Sequence, residues 1–425
     1  MESYKRVRLY LESGEVVEGI LLPATAYTSP DVYVVKLRNG YNVGISKNKV
    51  KRVEELEDVV SAKAQTGARS AEVDTGKPWV SIVATGGTIL SRVEYATGAV
   101  YPSTDPALLF EMVPEISDIA SIRVEVLMSK FSEDMTPADW SLMAEKIAEQ
   151  FERGAAGVVV MHGTDTMHYS SAAMAFAFKE APGPVVFVGS QRSSDRPSSD
   201  AFQNILGAVM AAVSAPFAES VIAMHKASSD GGIYIHRGTR VRKMHTSRRD
   251  TFRSIGIGPL AEVDLESRSL KVLVDSYKAR GGLSYAAKFS DRAALVKFYP
   301  GMDPRIFDAL IDLGVQGVVL EGTGFGHVRD ALLPAIKKAV DAGVVVAMTS
   351  QTIYGRVDLY VYRRGRELLS LGVVPLEDML PEAAYVKMSW ALANFRREEV
   401  PTILRTPLAG EITPRSDPEA FIGEL

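Results

Sequence analysis

A run of apolar residues that ends in a glycine loop constrains the fold of this chain more than any other feature. Residues 79–91 read WVSIVATGGTILS, and the apolar run at 80–83 stops at TGGT, residues 85–88. That pattern predicts a buried strand leading into a loop that presents two hydroxyls. Open α/β sheets bind ligands at such strand ends, and glycine lets a ligand approach the backbone. Taken alone, the pattern is equally compatible with a purely structural turn.

Strand and helix patterns alternate after Trp79. GAAGVVVMHG and GPVVFVGSQ are typical of buried strands, and SSAAMAFAFKEA between them is typical of a helix. This alternation predicts an α/β fold with a mainly parallel sheet covered on both faces. GVVVMHGTDT followed by VVFVGSQRS resembles GVVLEGTGFG followed by VVVAMTSQTI, with nearly the same spacing. The repetition indicates either two α/β domains of shared ancestry or two βαβ units that merely look alike.

The N-terminal residues predict a different kind of unit. VRLYLESGEVVEGILL and VYVVKLRNGYNVGI each give two alternating strands, and Asn39-Gly40 is a strong hairpin signal because it suits positive φ. Several short strands without a helix suggest an SH3-like or Sm-like barrel. The expected division is a barrel at 1–58, a linker at 59–78, an α/β domain at 79–270, a linker at 271–293 and a second α/β domain at 294–425.

Composition excludes several classes of function. The chain has 425 residues, a net charge of −4 and no cysteine, so binding of nucleic acid by bulk charge is disfavoured and thiol chemistry is ruled out. No apolar run approaches the ~18 residues that span a bilayer, and the start does not resemble a signal peptide, so we expect a cytoplasmic protein without membrane contact. The histidines show no ligand spacing, as His162 and His168 illustrate, and we expect no metal site.

The loop at 162–166, HGTDT, follows the second buried strand and precedes a helix. Thr164, Asp165 and the free N–H groups of that helix would share one small volume, which favours an anionic ligand such as an α-carboxylate. Asp165 could equally be the N-cap of the helix, a common position for aspartate. The spacing alone does not separate a capping role from a catalytic one.

Lys243 is the best candidate for a base. A hydroxyl nucleophile needs one nearby, and the chain contains no Gly-x-Ser-x-Gly elbow. Lys243 lies in residues 237–254, where seven of eighteen residues are Lys or Arg. A lysine buried beside cations and hydroxyls can have its pKa lowered enough to accept a proton. The same segment could instead be a solvated basic loop, or a surface for a partner or RNA.

Together these segments resemble the bacterial-type L-asparaginase/glutaminase family. The resemblance runs from about Trp79 to near the C-terminus and implies two asparaginase-type α/β domains. The matching segments are ATGGTI (84–89), SEDMTPADW (132–140), HGTDTM (162–167), GSQR (189–192), the loop around Lys243, EGTGFGH (321–327) and SQTIYGRV (350–357).

The resemblance implies roles for individual residues. Thr88 matches the family's nucleophile, and the set Thr164, Asp165 and Lys243 matches its second triad. The implied reaction is amide hydrolysis through an acyl-enzyme: Thr88 attacks the side-chain amide of Gln or Asn, ammonia leaves, and water then releases Glu or Asp. Backbone N–H groups would stabilise the developing oxyanion.

The same resemblance implies how substrate is bound. Substrate contacts are implied for Gly87, Gly163, Ser132 and Glu133, and Asp165 would also hold the α-amino group. Tyr95 would help to activate Thr88, although Tyr101 lies close in sequence and could take that position. Glu133 stands where secreted asparaginases usually carry Gln.

The residues before Trp79 add a second resemblance. A barrel-like extension on an asparaginase core, together with VRKMHTSRRDTFRSI (241–255), resembles the D subunits of archaeal glutamyl-tRNA(Gln) amidotransferases. In that family the D subunit frees ammonia from glutamine, and a separate E subunit uses ATP and Mg²⁺ to activate Glu-tRNA(Gln), so this chain would hold no cofactor. A homodimer within an α2β2 complex is implied, with tRNA bound mainly by the partner. A stand-alone cytosolic L-asparaginase is the alternative, and an RNA or protein adaptor with an inactive core is a third.

Overall fold

The N-terminal unit is a five-stranded antiparallel sheet. The computed structural model describes residues 5–21, 29–37, 42–58, 70–86, 91–94, 99–102, 109–110, 113–192 and 199–421. The sheet has the order β4-β3-β2-β1-β5 and a small core formed by Val7, Leu9, Val35 and Ile45. Its strands are β1 (Lys5–Leu11), β2 (Val16–Leu21), β3 (Val32–Lys36), β4 (Asn42–Ser46) and β5 (Val50–Asp58). The expected all-β unit is confirmed, while the Asn39-Gly40 turn lies outside the described residues.

A nine-stranded sheet forms the centre of the molecule. Its order is β19-β18-β15-β14-β13-β11-β7-β10-β6, and the five strands from β14 to β10 run parallel while the edges are antiparallel. The members are β6 (Ser70–Val73), β7 (Trp79–Gly86), β10 (Ser121–Lys130), β11 (Gly157–Met161), β13 (Val185–Val188), β14 (Ser220–His225), β15 (Gly232–Arg237), β18 (Ala261–Asp264) and β19 (Ser269–Val272). Smaller two-stranded pairs are β8 (Ser91–Glu94) with β9 (Ala99–Pro102), β12 (Phe178–Glu180) with β20 (Ser284–Tyr285), and β16 (Val241–Lys243) with β17 (Phe252–Ser254).

Strand β6 corrects one local expectation. Its residues fall in the segment assigned to the first linker, but they pair with β10 at the edge of the large sheet. The strand is polar and half exposed, and Glu72 accepts a hydrogen bond from Arg123 at 2.9 Å. Edge strands that face water lack the apolar run that marks a buried strand, so the charged composition of this segment concealed it.

Helices cover both faces of the large sheet. The helices of the described residues are α1 (Pro137–Glu152), α2 (Met167–Ala177), α3 (Ala201–Ser214), α4 (Arg305–Asp312), α5 (Leu333–Asp341), α6 (Arg363–Ser370), α7 (Pro381–Asn394) and α8 (Val400–Arg405). Val158 and Val160 of β11 share a core with α1 and α2, whereas Val159 and Met161 share one with α3. This alternation follows from the two-residue period of a strand and explains the continuous apolar run. Within the described ranges, no helix combines the length and apolar character needed to cross a bilayer.

The C-terminal α/β unit has its own parallel sheet. The strands β21 (Ala293–Lys297), β22 (Gly317–Gly322), β23 (Val345–Ser350) and β24 (Val374–Pro375) lie in that order. The repeated sequence segments fall on β11 with β13 and on β22 with β23, and each pair is parallel. Helix α7 packs on α2, where Trp390 stacks on Phe176 at 6.2 Å, so the two α/β units share a core. The expected fold class is confirmed.

Candidate active site

The strands that lead into the two polar sequence segments are neighbours in the large sheet. Strand β7 lies parallel to β11, and Ala84 pairs with Met161 one residue before the second loop. The hydroxyl of Thr85 donates to the carbonyl oxygen of Met161 at 2.9 Å, which holds the two strand ends level. Gly86 has φ +122°, and a Cβ there would overlap the backbone of Lys130, so only glycine fits this strand end.

The second loop meets the basic segment at Lys243. The Nζ atom of Lys243 lies 2.9 Å from Oγ1 of Thr164 and 2.7 Å from Oδ1 of Asp165. Thr164 is buried, the side chain of Lys243 is 10% exposed, and that of Asp165 is 68% exposed. An amine thus contacts a buried hydroxyl and an open carboxylate, an arrangement that can move a proton to or from the hydroxyl.

The structure tests one of the two interpretations of Asp165, its role as a helix cap. Helix α2 begins at Met167 with Thr166 as its N-cap residue, and no side chain caps it. Asp165 pairs with Lys243 instead. The capping interpretation is therefore wrong, and the catalytic role of Asp165 stays a prediction.

A polar turn that follows β10, two strands away from β11 in the sheet, contacts the second loop. Residues Ser132–Asp134 form a 3-10 turn after β10, and Thr166 donates its hydroxyl to the carbonyl oxygen of Ser132 at 2.6 Å. A Cβ on Gly163 would lie 2.8 Å from Cβ and 2.9 Å from Oγ of Ser132, so this contact requires glycine. Ser132 is buried beside the loop, while Glu133 is exposed.

A chain of buried hydrogen bonds supports the second loop. His162 contacts the carbonyl oxygen of Gly163 at 2.7 Å through Nδ1, which must therefore carry the proton, and Nε2 accepts from Ser170 at 2.9 Å. Trp140 donates to the same hydroxyl at 3.0 Å. Burial lowers the pKa of His162 to about 4, against a smaller effect of the Gly163 carbonyl. In the sequence, His162 invites comparison only with metal ligands, and nothing near it in the chain indicates this supporting role.

The cations of the basic segment at 237–254 are paired, although residues 244–248 of the segment are exposed to solvent. Each of its seven cationic side chains lies within ion-pair distance of a carboxylate from the same chain, which leaves little free positive charge for RNA. The pairs are Arg237 with Glu219, Arg240 with Asp378, Arg242 with Glu382, Lys243 with Asp165, Arg248 with Asp250, Arg249 with Asp230, and Arg253 with Asp250.

Several predicted site residues lie outside the described part of the chain. Thr88, Gly87 and Tyr95 belong to this group, and Tyr101 is described only by its backbone, which pairs with Arg92 in β8. The structure therefore brings together Thr164, Asp165, Lys243, Gly163 and Ser132. Among the described residues, no cluster of three or more histidine or acidic side chains is arranged to hold a metal ion.

Three protein-family models match the chain in succession. Residues 1–56 match the GatD N-terminal domain, residues 79–276 the N-terminal asparaginase domain, and residues 292–402 the glutaminase/asparaginase C-terminal domain. The D subunit of glutamyl-tRNA(Gln) amidotransferase from Pyrobaculum aerophilum is 60% identical over 99% of this chain and all of its own length. The chain belongs to the family of glutamyl-tRNA(Gln) amidotransferase D subunits.

Other members of this D-subunit family are also similar along their whole length. The protein of Thermofilum pendens is 53% identical and that of Pyrococcus furiosus 46% identical, over 99% of this chain and 95% and 96% of their own. Among solved structures, the thermostable L-asparaginase from Thermococcus kodakarensis has a TM-score of 0.69 at 30% identity, and L-asparaginase I from Vibrio cholerae 0.68 at 28%. Both matches cover 79% of this chain and 99% of the asparaginase. The resemblance inferred from the motifs is confirmed.

Proposed function

We propose that this chain is the glutaminase subunit of a tRNA-dependent amidotransferase that converts Glu-tRNA(Gln) to Gln-tRNA(Gln). It releases ammonia from glutamine, or from asparagine, for use by an ATP-dependent partner subunit. The observation that carries the proposal is the contact of Lys243 with Thr164 and Asp165 in a chain of the amidotransferase D-subunit family. These residue types occupy the positions that the family resemblance assigns to the second catalytic triad.

The chemistry consists of two acyl transfers. The Thr88 hydroxyl loses its proton and its oxygen attacks the side-chain carbonyl carbon of glutamine. The carbon–nitrogen bond then breaks, and the nitrogen takes up a proton and leaves as ammonia. In the second step water adds to the resulting ester, which releases glutamate and restores the hydroxyl. Thr164 and Lys243 relay the protons, which is supported by the 2.9 Å contact between Nζ and Oγ1.

Substrate is held by the polar groups around the second loop. The exposed carboxylate of Asp165 binds the α-amino group, and the turn at Ser132 with the adjoining Gly163 forms one wall of the site. The free N–H groups at the start of α2 favour the α-carboxylate. Glu133, exposed on the same turn, contacts the substrate from the solvent side.

The partner takes up the ammonia. An E-type amidotransferase subunit binds Glu-tRNA(Gln), uses ATP and Mg²⁺ to activate it, and pairs with a homodimer of this chain in an α2β2 complex in the cytoplasm. The division into a barrel at 1–58 and α/β domains at 79–270 and 294–425, with β6 joining the first of these domains, is part of the same proposal. The 60% and 53% identical relatives are named as D subunits of glutamyl-tRNA(Gln) amidotransferase, which supports a role beside other subunits of such a complex.

Ammonia release tests the proposal. We expect weak hydrolysis of glutamine by the full chain alone and strong stimulation by the partner subunit with ATP and Glu-tRNA(Gln). Thr88→Ala should abolish both activities. Fast asparagine turnover without any effect of the partner would instead favour a stand-alone L-asparaginase, the activity named for the structural neighbours of 28–30% identity. Absence of ammonia release under all conditions would favour an adaptor with an inactive core.

A further inference from the structure

Strand β16 has two faces, and they contact different parts of the molecule. Lys243 contacts Thr164 and Asp165 in the N-terminal α/β unit. Arg242 within the strand, and Arg240 directly before it, pair with carboxylates of the C-terminal α/β unit. Since successive side chains of a strand point to opposite faces, Arg242 anchors the strand from the side opposite to Lys243.

The Arg242 anchor ends on a nearly buried carboxylate. Arg242 Nη2 lies 3.0 Å from Oε1 of Glu382, whose side chain is 9% exposed, in the first turn of α7. The other carboxylate oxygen, Oε2, has no hydrogen-bond partner within the described ranges. Because the Glu382 carboxylate is desolvated and makes one strong contact, the positive charge of Arg242 is the main interaction that offsets its desolvation.

Neighbouring strands place further charged groups around the pair of Arg242 and Glu382. From β22, Glu321 adds a second carboxylate: burial raises its pKa, Lys297 opposes that shift, Glu382 adds to it, and Arg242 opposes it. From β17, Arg253 stands opposite Arg242 in register and is held by Asp250 at 2.6 Å.

Two residues of helix α2 respond to the charges of β16 and α7. Burial, followed by the positive charges of Arg242 and Lys243, lowers the pKa of His168 to about 3, while Asp165 opposes this shift. Tyr169, the next residue, has its pKa raised by burial and then by Glu382, against Arg242. The charges of Arg242 and Glu382 therefore act on the first turn of α2, which directly follows the second loop.

We propose that Glu382 is a positioning residue for Lys243 and acts through Arg242. The Glu382 carboxylate fixes Arg242, and this contact holds β16 at the distance from which Lys243 reaches Thr164. The same carboxylate neutralises the charge of Arg242 next to Lys243. The inference rests on the proposed amide hydrolysis. The C-terminal unit thereby sets the placement and the charge of the base in the N-terminal unit.

Two variants with opposite charge effects provide the test. In Glu382→Gln the Arg242 charge is uncompensated, and like-charge repulsion makes Lys243 release its proton at lower pH. In Arg242→Gln the Glu382 charge is uncompensated, and Lys243 keeps its proton to higher pH. We expect kcat for glutamine hydrolysis to fall at least tenfold in both, with KM within threefold. The rising limb of the pH–rate profile should move by about half a pH unit in opposite directions, since Coulomb coupling of that order acts across ~10 Å.

Controls separate positioning from folding. Glu219→Gln breaks a comparably buried pair. Glu219, directly before β14, and Arg237 are 10% and 15% exposed and lie 2.7 Å apart. It should lower thermal stability and leave the pH profile unchanged. Arg242→Lys keeps the charge and should restore most of kcat.

The measurements use the full chain with its partner subunit, ATP and Glu-tRNA(Gln), and record ammonia release from pH 5 to 9. The proposal is supported if kcat falls in both Glu382→Gln and Arg242→Gln and the rising limbs of their pH–rate profiles move in opposite directions. Shifts in the same direction, or unchanged profiles in an active wild-type background, overturn it and leave the proposed function intact. A wild-type chain that releases no ammonia overturns the proposed function and this inference with it.

Discussion

The amine nitrogen of Lys243 and the hydroxyl oxygen of Thr164 lie 2.9 Å apart, although 79 residues separate them in the chain. The contact depends on two elements that are each fixed independently. The Thr164 loop is bound to buried β11, and the Lys243 strand is anchored on the C-terminal unit by Arg240 and Arg242. A proton can pass between these groups without any movement of the backbone.

Removing the amine tests this contact. We expect Lys243→Met to lower kcat for glutamine hydrolysis about 10²- to 10⁴-fold, the usual contribution of a positioned acid–base group. The matched control is Lys337→Met, because Lys337 also pairs with an aspartate, Asp341 at 2.7 Å, but on the exposed face of α5. Ammonia release with saturating glutamine measures the effect. Equal activity of the two variants would contradict a role for Lys243 in catalysis.

Adding one methyl group to the second loop should displace it. In Gly163→Ala the new Cβ would lie 2.8 Å from Cβ of Ser132, closer than real Cβ atoms approach other atoms. We expect the loop to move away from the Ser132 turn and kcat/KM for glutamine to fall at least tenfold. Gly281→Ala is the control, since a Cβ there meets no atom within 4 Å. If Gly163→Ala retains wild-type kcat/KM, the tight contact is not needed for activity.

The sequence predicts the buried strands and the site loops well for a physical reason. Apolar runs such as Val158–Val160 have one stable environment, a strand covered on both faces, and the polar residues that follow must lie at its end. Polar edge strands such as β6 give no comparable signal. Their side chains face water as those of a linker do. Whether such a segment forms a strand therefore depends on its hydrogen-bond partners.

The partners of charged residues could not be predicted from the sequence. The arginines around Lys243 are equally typical of a solvated loop because their carboxylates come from distant segments. Asp378 and Glu382 lie 138 and 140 positions after Arg240 and Arg242. Only the packing of α7 against the first unit brings them together. The same holds for His162, whose neighbours Ser170 and Trp140 become visible once α1 and α2 are packed.

Breaking the buried pair of Arg240 and Asp378 should cost more stability than any exposed pair. The two side chains are 2% and 5% exposed and lie 3.1 Å apart. We expect Asp378→Asn to lower the free energy of unfolding by about 3–5 kcal/mol, because it leaves a buried guanidinium without its counter-charge. Asp303→Asn, which breaks the exposed pair with Arg305, should cost far less, because solvent screens an exposed ion pair. Denaturant titration of both variants decides, and similar losses would contradict the expectation.

His236 should make the chain less stable as the pH falls. Its ring is buried and accepts or donates one hydrogen bond with Ser254 at 2.8 Å, and burial, followed by the charge of Arg253, lowers its pKa from 6.5 to about 3. Between these values the unfolded chain binds one proton more than the folded chain, so the free energy of unfolding falls on acidification by about 1.4 kcal/mol per pH unit from this residue. His236→Gln removes that dependence, and denaturant titrations from pH 6.5 to 4.5 should show a slope smaller by this amount. Ser254→Ala keeps the buried ring and should keep the wild-type slope. Equal slopes for His236→Gln and the wild type would show that the ring takes up its proton without unfolding.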